Sequence, residues 1–302
     1  MTPLPPPASR PDRNALLAAV TCFTSWGLFP LLFQATGRAG ATSAEIVGWR
    51  ILAAIPFAFA LVVATGQLPA CRALLRQPRT LGLLAFTGVL IGVNWGVYIW
   101  AVQNGQTLAT SFGYYLNPLL NMAFGAVLFR ERLSLPTRVA IGLAMVGVAL
   151  QAVAIGGLPW IALVIAGTFA VYGVIRKRIA VEAQTGLLVE VLVLAVPSGA
   201  FAAWEIVHGV GAFGHNAAAT VLLLVCGLAT VIPLTAFSYA ARRLPLSVLG
   251  FLQFIQPTLL FVVGAVQGEP VTPLRLASFA FIWVGVAVFV TSLVRTARAG
   301  TV

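Results

Sequence analysis

The sequence predicts an all-α membrane protein of ten transmembrane helices, arranged as two inverted five-helix repeats. Three observations predict it. About 60% of the 302 residues are apolar and 8% are charged, which leaves too little polar surface to coat a water-soluble globule. The apolar residues gather into runs of roughly 20, the length a helix needs to cross the hydrocarbon layer. Motifs of the first half also recur in the second. The runs are about twice the length of a barrel strand and none alternates apolar with polar residues, so they read as helices.

Taken in order, residues 1–14 are a Pro-rich tail, TPLPPPASRPDR at its centre, expected to be disordered and cytoplasmic. No small-residue cleavage pattern follows the first run, so the tail reads as uncleaved. Spans at 15–36, 44–65, 80–103, 108–129 and 137–155 make the first repeat, residues 15–155. Spans at 158–176, 185–204, 217–241, 246–267 and 273–294 make the second, residues 156–294, and 295–302 is a short cytoplasmic tail.

The net charge of +11 is an orientation signal. Arg10, Arg13, Arg72, Arg76, Arg79, Arg130, Arg132, Arg138, Arg176, Lys177, Arg178, Arg242, Arg243, Arg295 and Arg298 fall on alternate connections, against Arg38 and Arg275 on the others and Arg50 inside a span. The positive-inside rule then places both termini in the cytoplasm of a multi-pass inner-membrane protein. A nucleic-acid partner is excluded by this distribution; the bilayer is the partner. Cys22, Cys71 and Cys226 lie in or near different spans without paired spacing, so neither a disulfide framework nor a metal site is expected.

The repeat is read from matched motifs. Gly113, Pro118, GAV at 125–127 and Glu131 correspond to Gly250, Pro257, GAV at 264–266 and Glu269. Trp26-Gly27 answers Tyr172-Gly173, and Arg138 with GVA at 147–149 answers Arg275 with GVA at 285–287. Five spans is an odd number, so a second half folded like the first enters the membrane from the opposite face. Inverted repeats of this kind are a transporter design, able to open a central site to each side in turn.

Candidate site residues follow from cost. An interior proline in a helix costs about 3 kcal/mol, and an unpaired amide in lipid adds several more. Asn117-Pro118 and Gln256-Pro257 stand near the middle of the fourth and ninth spans. Each proline would free the carbonyl four residues earlier, at Tyr114 or Gln253. Tyr114, Asn117 and Asn121 share one helix face, as do Gln253 and Gln256, so these faces are expected to line a cavity or to tie helices together. Asn94, Trp95 and Tyr98 in the third span, and Ser25, Trp26 and Gln34 in the first, add aromatic and amide faces suited to an amphipathic solute.

Two charges are embedded, Arg50 in the second span and Glu190 in the seventh, and charge inside a span marks function by default. They are assigned to coupling or gating, at depths too far apart for a direct pair. Arg50 has snorkelling to the interface as its structural alternative. Glu190, without a basic residue within one turn of its own helix, is the candidate for proton coupling.

No cofactor is expected. The single lysine, Lys177, follows no glycine-rich loop, so the chain is not an ATPase on its own. The two histidines, His208 and His215, fall in one loop, and no acid pair or ligand cluster lies within the spans, so an enzyme is not expected.

FTSWGLFPLLF, GVLIGVNWGVYIWAVQN, SFGYYLNPLLNMAFGAVLFRERLS, FAVYGVIRKRIAVEAQTG and LPLSVLGFLQFIQPTLLF with FAFIWVGVAVF resemble the RarD subgroup of the EamA family, in the drug/metabolite transporter superfamily. The resemblance runs from about Leu16 to Leu293. It implies a ten-helix inner-membrane permease of two five-helix domains, a type labelled as chloramphenicol-resistance permease. It carries no binding role onto Arg50, Asn94, Asn117, Glu190 or Gln256. The expected function is secondary transport by alternating access, most simply export of small amphipathic metabolites or drugs. Import or exchange is the alternative within transport, and a sensor or structural subunit the alternative outside it.

Overall fold

The computed structural model describes residues 13–129, 134–241, 243–244, 248–249 and 252–299. Arg10, Arg130, Glu131, Arg132, Arg242 and Gly250 lie outside the described residues, as do the side chains of Pro118, Asn121, Lys177, Arg295 and Arg298. Among the described residues the chain is all-helical: α1 (Arg13–Arg38), α2 (Ser43–Ala64), α3 (Leu68–Leu74), α4 (Pro78–Gln103), α5 (Thr107–Phe129), α6 (Leu135–Ile155), α7 (Trp160–Arg178), α8 (Ala183–His208), α9 (Ala217–Ala241), α10 (Ile255–Val266) and α11 (Pro273–Ala299). Seven of them are long and apolar enough to cross a membrane.

Local chemistry sets the boundaries. α2 opens with a capping box, in which Thr42 Oγ1 accepts from the Glu45 amide (3.2 Å) and Glu45 Oε2 accepts from the Thr42 amide (2.8 Å), satisfying two donors the helix leaves orphaned. Asn216 Oδ1 does the same for α9, accepting from Ala218 and Ala219. α6 and α8 end on Gly156 and Gly209, both in the left-handed region at φ 67° and 63°, a conformation that glycine adopts without a side-chain penalty.

Three boundaries differ from expectation. α3 is a seven-residue helix in what reads as a loop. α11 continues through Ala299, into the expected C-terminal tail. In the ninth span residues 248–249 and 252 are helical, a turn follows at Gln253 and Phe254, and α10 runs from Ile255. Pro257 therefore sits in the first helical turn, where a missing N–H interrupts nothing, rather than at mid-helix. α5, by contrast, runs unbroken through position 118.

The helices associate in a definite pattern. α1 packs on α9 and α10, α2 on α8 and α9, α4 on α7 and α8, and α5 on α7 and α10. α6 and α11 pack along each other and reach the rest of the bundle chiefly through α5. Small residues permit the closest approaches. A Cβ on Gly147 of α6 would stand 2.9 Å from the Ser278 carbonyl of α11, and one on Gly285 of α11 would stand 3.0 Å from the Ala140 carbonyl of α6. Outside, Phe59, Phe86, Val153 and Val196 are exposed; such a surface is costly in water and neutral against lipid tails.

Candidate functional site

A cavity of about 510 Å³ lies among α1, α2, α4, α5, α7, α8, α9 and the start of α10. Each helix presents one face to it, because residues three or four apart stack on the same side. α1 contributes Phe23, Trp26 and Phe29, α4 contributes Asn94, Trp95 and Tyr98, α5 contributes Tyr114 and Asn117, and α7 contributes Phe169, Tyr172 and Arg176. Gln253 and Gln256 enter from the α10 side, and Arg50, Glu190 and Thr230 from α2, α8 and α9. At one end the lining reaches Leu61, Val181, Ala183 and Gln184, at the ends of α2 and α7 and the start of α8.

Arg50 does not snorkel. It is only 4% exposed, its Nε donates to Thr230 Oγ1 at 2.6 Å, and its guanidinium lies over Trp95 (4.3 Å to the ring centroid), with Phe33 and Phe29 at 5.5 and 5.6 Å. Nη1 has no hydrogen-bond partner among the described residues. The rings attract the cation through their negative faces and turn it inward, where the interface cannot reach it.

Glu190 has the partners its own helix lacks. Thr87 donates to Oε1 (2.7 Å), Tyr172 donates to Oε2 (3.3 Å), and Arg176 Nε stands 3.8 Å from Oε1. Arg176 is thus a wall of the cavity and not a loop cation. A Cβ at Gly186 of α8 would collide with its guanidinium, so that glycine makes the room in which Arg176 lies. The run RKR at 176–178 reads as interfacial charge; the signal that separates Arg176 from its neighbours is its place seven residues after Phe169 and four after Tyr172, on the cavity face. Thr87 and Thr230 are also absent from the sequence reading, since a lone threonine in a span carries no signal of its own.

The amides divide. Asn94 Nδ2 donates to the Ile165 carbonyl (2.8 Å) and Thr168 Oγ1 (2.9 Å), and its Oδ1 accepts from Tyr114 (3.4 Å), so it ties α4 to α7 and α5. Asn117 is 1% exposed with Oδ1 unpaired. Pro257 does not line the cavity; it is buried in α10, its carbonyl accepting from Ser111 (2.7 Å). Ser25 bonds its own helix at Thr21. Gln34 lies toward the other end of the bundle, exchanging hydrogen bonds with Gln267 at 2.8 and 2.5 Å. There Glu269 accepts from the Thr107 and Leu108 amides (2.5 and 2.8 Å) and closes the N-terminus of α5.

A bundle of lipid-facing helices around a cavity walled by rings, amides and inward charges defines a class, the membrane transporters. Residues 13–153 match the EamA-like transporter family. Protein RarD of Salmonella typhi is 40% identical over 293 residues, covering 96% of this chain and 99% of its own length. Protein RarD of Escherichia coli K12 is 38% identical over 293 residues, 96% of this chain and 98% of its own. A crystal structure 20% identical in sequence superposes with a TM-score of 0.59 over 93% of this chain and 98% of that one, and so shares the fold. The chain belongs to the EamA-like transporter family, in its RarD branch.

Proposed function

We propose that the chain is a secondary transporter of the inner membrane, built from inverted repeats at 15–155 and 156–294, which exports a small amphipathic solute by alternating access through the cavity. The observation that carries the reading is the behaviour of the contacts when the halves are exchanged. With α1, α2, α4, α5 and α6 matched to α7, α8, α9, α10 and α11, the contact of α1 on α9 becomes that of α7 on α4, α1 on α10 becomes α7 on α5, and α2 on α9 becomes α8 on α4. The pairs α2 with α8, α5 with α10 and α6 with α11 map onto themselves. Single residues follow: Gly147 against Ser278 answers Gly285 against Ala140, and Arg50 bonded to Thr230 answers Glu190 bonded to Thr87. Two halves that pack alike around one cavity can trade conformations, and the trade moves the opening from one side to the other.

The orientation follows from the cations. With the α2–α4 and α7–α8 connections read as cytoplasmic, the end of the cavity lined by Val181 and Gln184 is the cytoplasmic one in this scheme, the side from which an exporter loads its solute. Reporter fusions after Arg76, after Lys177 and at the C-terminus should all report cytoplasm; a periplasmic C-terminus reverses the scheme.

The cavity itself is tested by chemistry. In a chain with Cys22, Cys71 and Cys226 replaced by alanine, single cysteines at Asn117 and Gln256 should react with a water-soluble maleimide, faster from the cytoplasmic face. If both stay unlabelled in a folded protein, these amides are helix glue. Metabolites enriched in the medium of expressing cells should then move across liposomes holding the pure protein, and failure of every one to move would leave a sensor or structural subunit.

A further inference from the structure

Among the described residues the charged ones in the cavity lining are Arg50, Arg176 and Glu190. Arg176 and Glu190 face each other and cancel. Arg50 has no carboxylate within salt-bridge distance among the described residues, so the cavity keeps one uncompensated positive charge.

We propose that Arg50 is the anion anchor of the cavity, and that the solute is a small organic acid carried as its anion, its acid group on the guanidinium and its apolar body against the surrounding rings. The inference rests on the transporter reading and adds the substrate class. Burying a cation without a counter-ion is unfavourable unless something in the site compensates it, and the compensation Arg50 receives is partial: one threonine oxygen and three ring faces, with Nη1 left over. Water in the cavity can accept from a guanidinium N–H but supplies no charge.

The matched position in the other half shows a charge that the protein meets with partners of its own. Glu190 receives Thr87, Tyr172 and Arg176, so both its oxygens are engaged and its charge is opposed. Arg176 also leaves Nη1 unpaired, but its charge is already met by Glu190. Only Arg50, of the three, awaits an opposite charge. A guanidinium presents paired N–H donors that suit a carboxylate, and Trp95, already stacked on Arg50, with Trp26 and Tyr98 in the same wall, offers flat faces to an apolar body. A cationic amine would meet this field as repulsion, and a neutral amide would leave the charge unmet.

The test uses three probes with one aromatic body and different charge: 1-naphthylacetate, 1-naphthylacetamide and 2-(1-naphthyl)ethylammonium. Binding to the purified protein in detergent is measured by calorimetric titration and by the shift in melting temperature. The carboxylate should bind at least about tenfold tighter than the amide, about 1.4 kcal/mol, and the ammonium weakest. Arg50→Gln should bring carboxylate and amide level, whereas Arg50→Lys should keep part of the preference. The proposal is overturned if wild-type protein binds the amide or the ammonium as well as the carboxylate, if the carboxylate does not bind, or if its advantage survives Arg50→Gln. Should Arg50→Gln fail to fold, the wild-type ranking and the Lys variant decide. Liposome flux is scored separately: an anion preference without flux removes the transporter reading alone, and flux of neutral solutes with no preference for the anion removes this one alone.

Discussion

Gly227→Leu is expected to abolish folded protein, while Gly142→Leu is expected to be silent. Gly227 is buried in α9 where that helix crosses α2, and a Cβ there would stand 2.7 Å from the Ala53 carbonyl carbon and 3.0 Å from its Cα. The obstruction is the Ala53 Cβ and the backbone that carries it, neither of which can swing aside as a side-chain tip can, so the two helices must separate. Helices in lipid are held by close van der Waals contact rather than by a hydrophobic drive, and forcing extra methylenes into such a contact costs about 3 kcal/mol or more. That is a large share of a net stability of about 5–15 kcal/mol. The damage also reaches the site. Thr230, one turn beyond Gly227 on α9, holds Arg50 of α2 through its hydroxyl, so even Gly227→Ala should loosen Arg50 from its place. Gly142, on α6, is exposed, with no atom within 4 Å of an added Cβ. Yield, size-exclusion profile and melting temperature in detergent compare the variants. A well-folded Gly227→Leu protein with unchanged melting temperature would mean that α2 and α9 do not meet as described.

What was legible in the sequence follows from energetic cost. An asparagine, a glutamine or an arginine inside a hydrocarbon-length run is expensive wherever it faces lipid, so Arg50, Asn94, Asn117, Glu190 and Gln256 announce an interior surface, and all of them line the cavity. Their partners are not legible, because a partner comes from another helix and helix adjacency leaves no mark in hydropathy. Arg176 is the clearest case: beside Lys177 and Arg178 it resembles interfacial charge, and only the approach of α7 to Glu190 turns it inward. The turn before α10 is not legible for a different reason. LGFLQFIQPTLLF is apolar apart from Gln253, Gln256 and Thr258, and apolarity reports lipid depth but not where the backbone turns. Pro257 is compatible with either a break or a first turn. α3, at seven residues, is too short for a periodic pattern to stand out.

Glu190→Gln is expected to lower stability and, where Glu190 is the coupling acid, to uncouple transport from a proton gradient, and the two effects separate in a double variant. Removing the carboxylate leaves Arg176 as an unpaired cation inside the cavity, and breaking a fully buried pair costs about 3–5 kcal/mol. The Arg176 side chain retains 14% exposure and the pair stands 3.8 Å apart, so the expected loss is smaller, about 2 kcal/mol. Replacing both residues, Glu190→Gln with Arg176→Gln, removes the orphaned charge and should restore most of the melting temperature. It does not restore an acid. If Glu190 carries the coupling proton, as its position between Thr87, Tyr172 and Arg176 suits, the double variant remains unable to use a pH gradient in inverted vesicles. Exchange of solute without a gradient, which needs only the cavity and its two conformations, should persist in the same protein. Arg176→Gln alone keeps the acid, so gradient-driven transport should survive there. Gradient-driven transport by the double variant would remove Glu190 from coupling. Loss of gradient-driven transport together with loss of exchange, in a protein whose melting temperature has recovered, would instead make the pair part of the solute site.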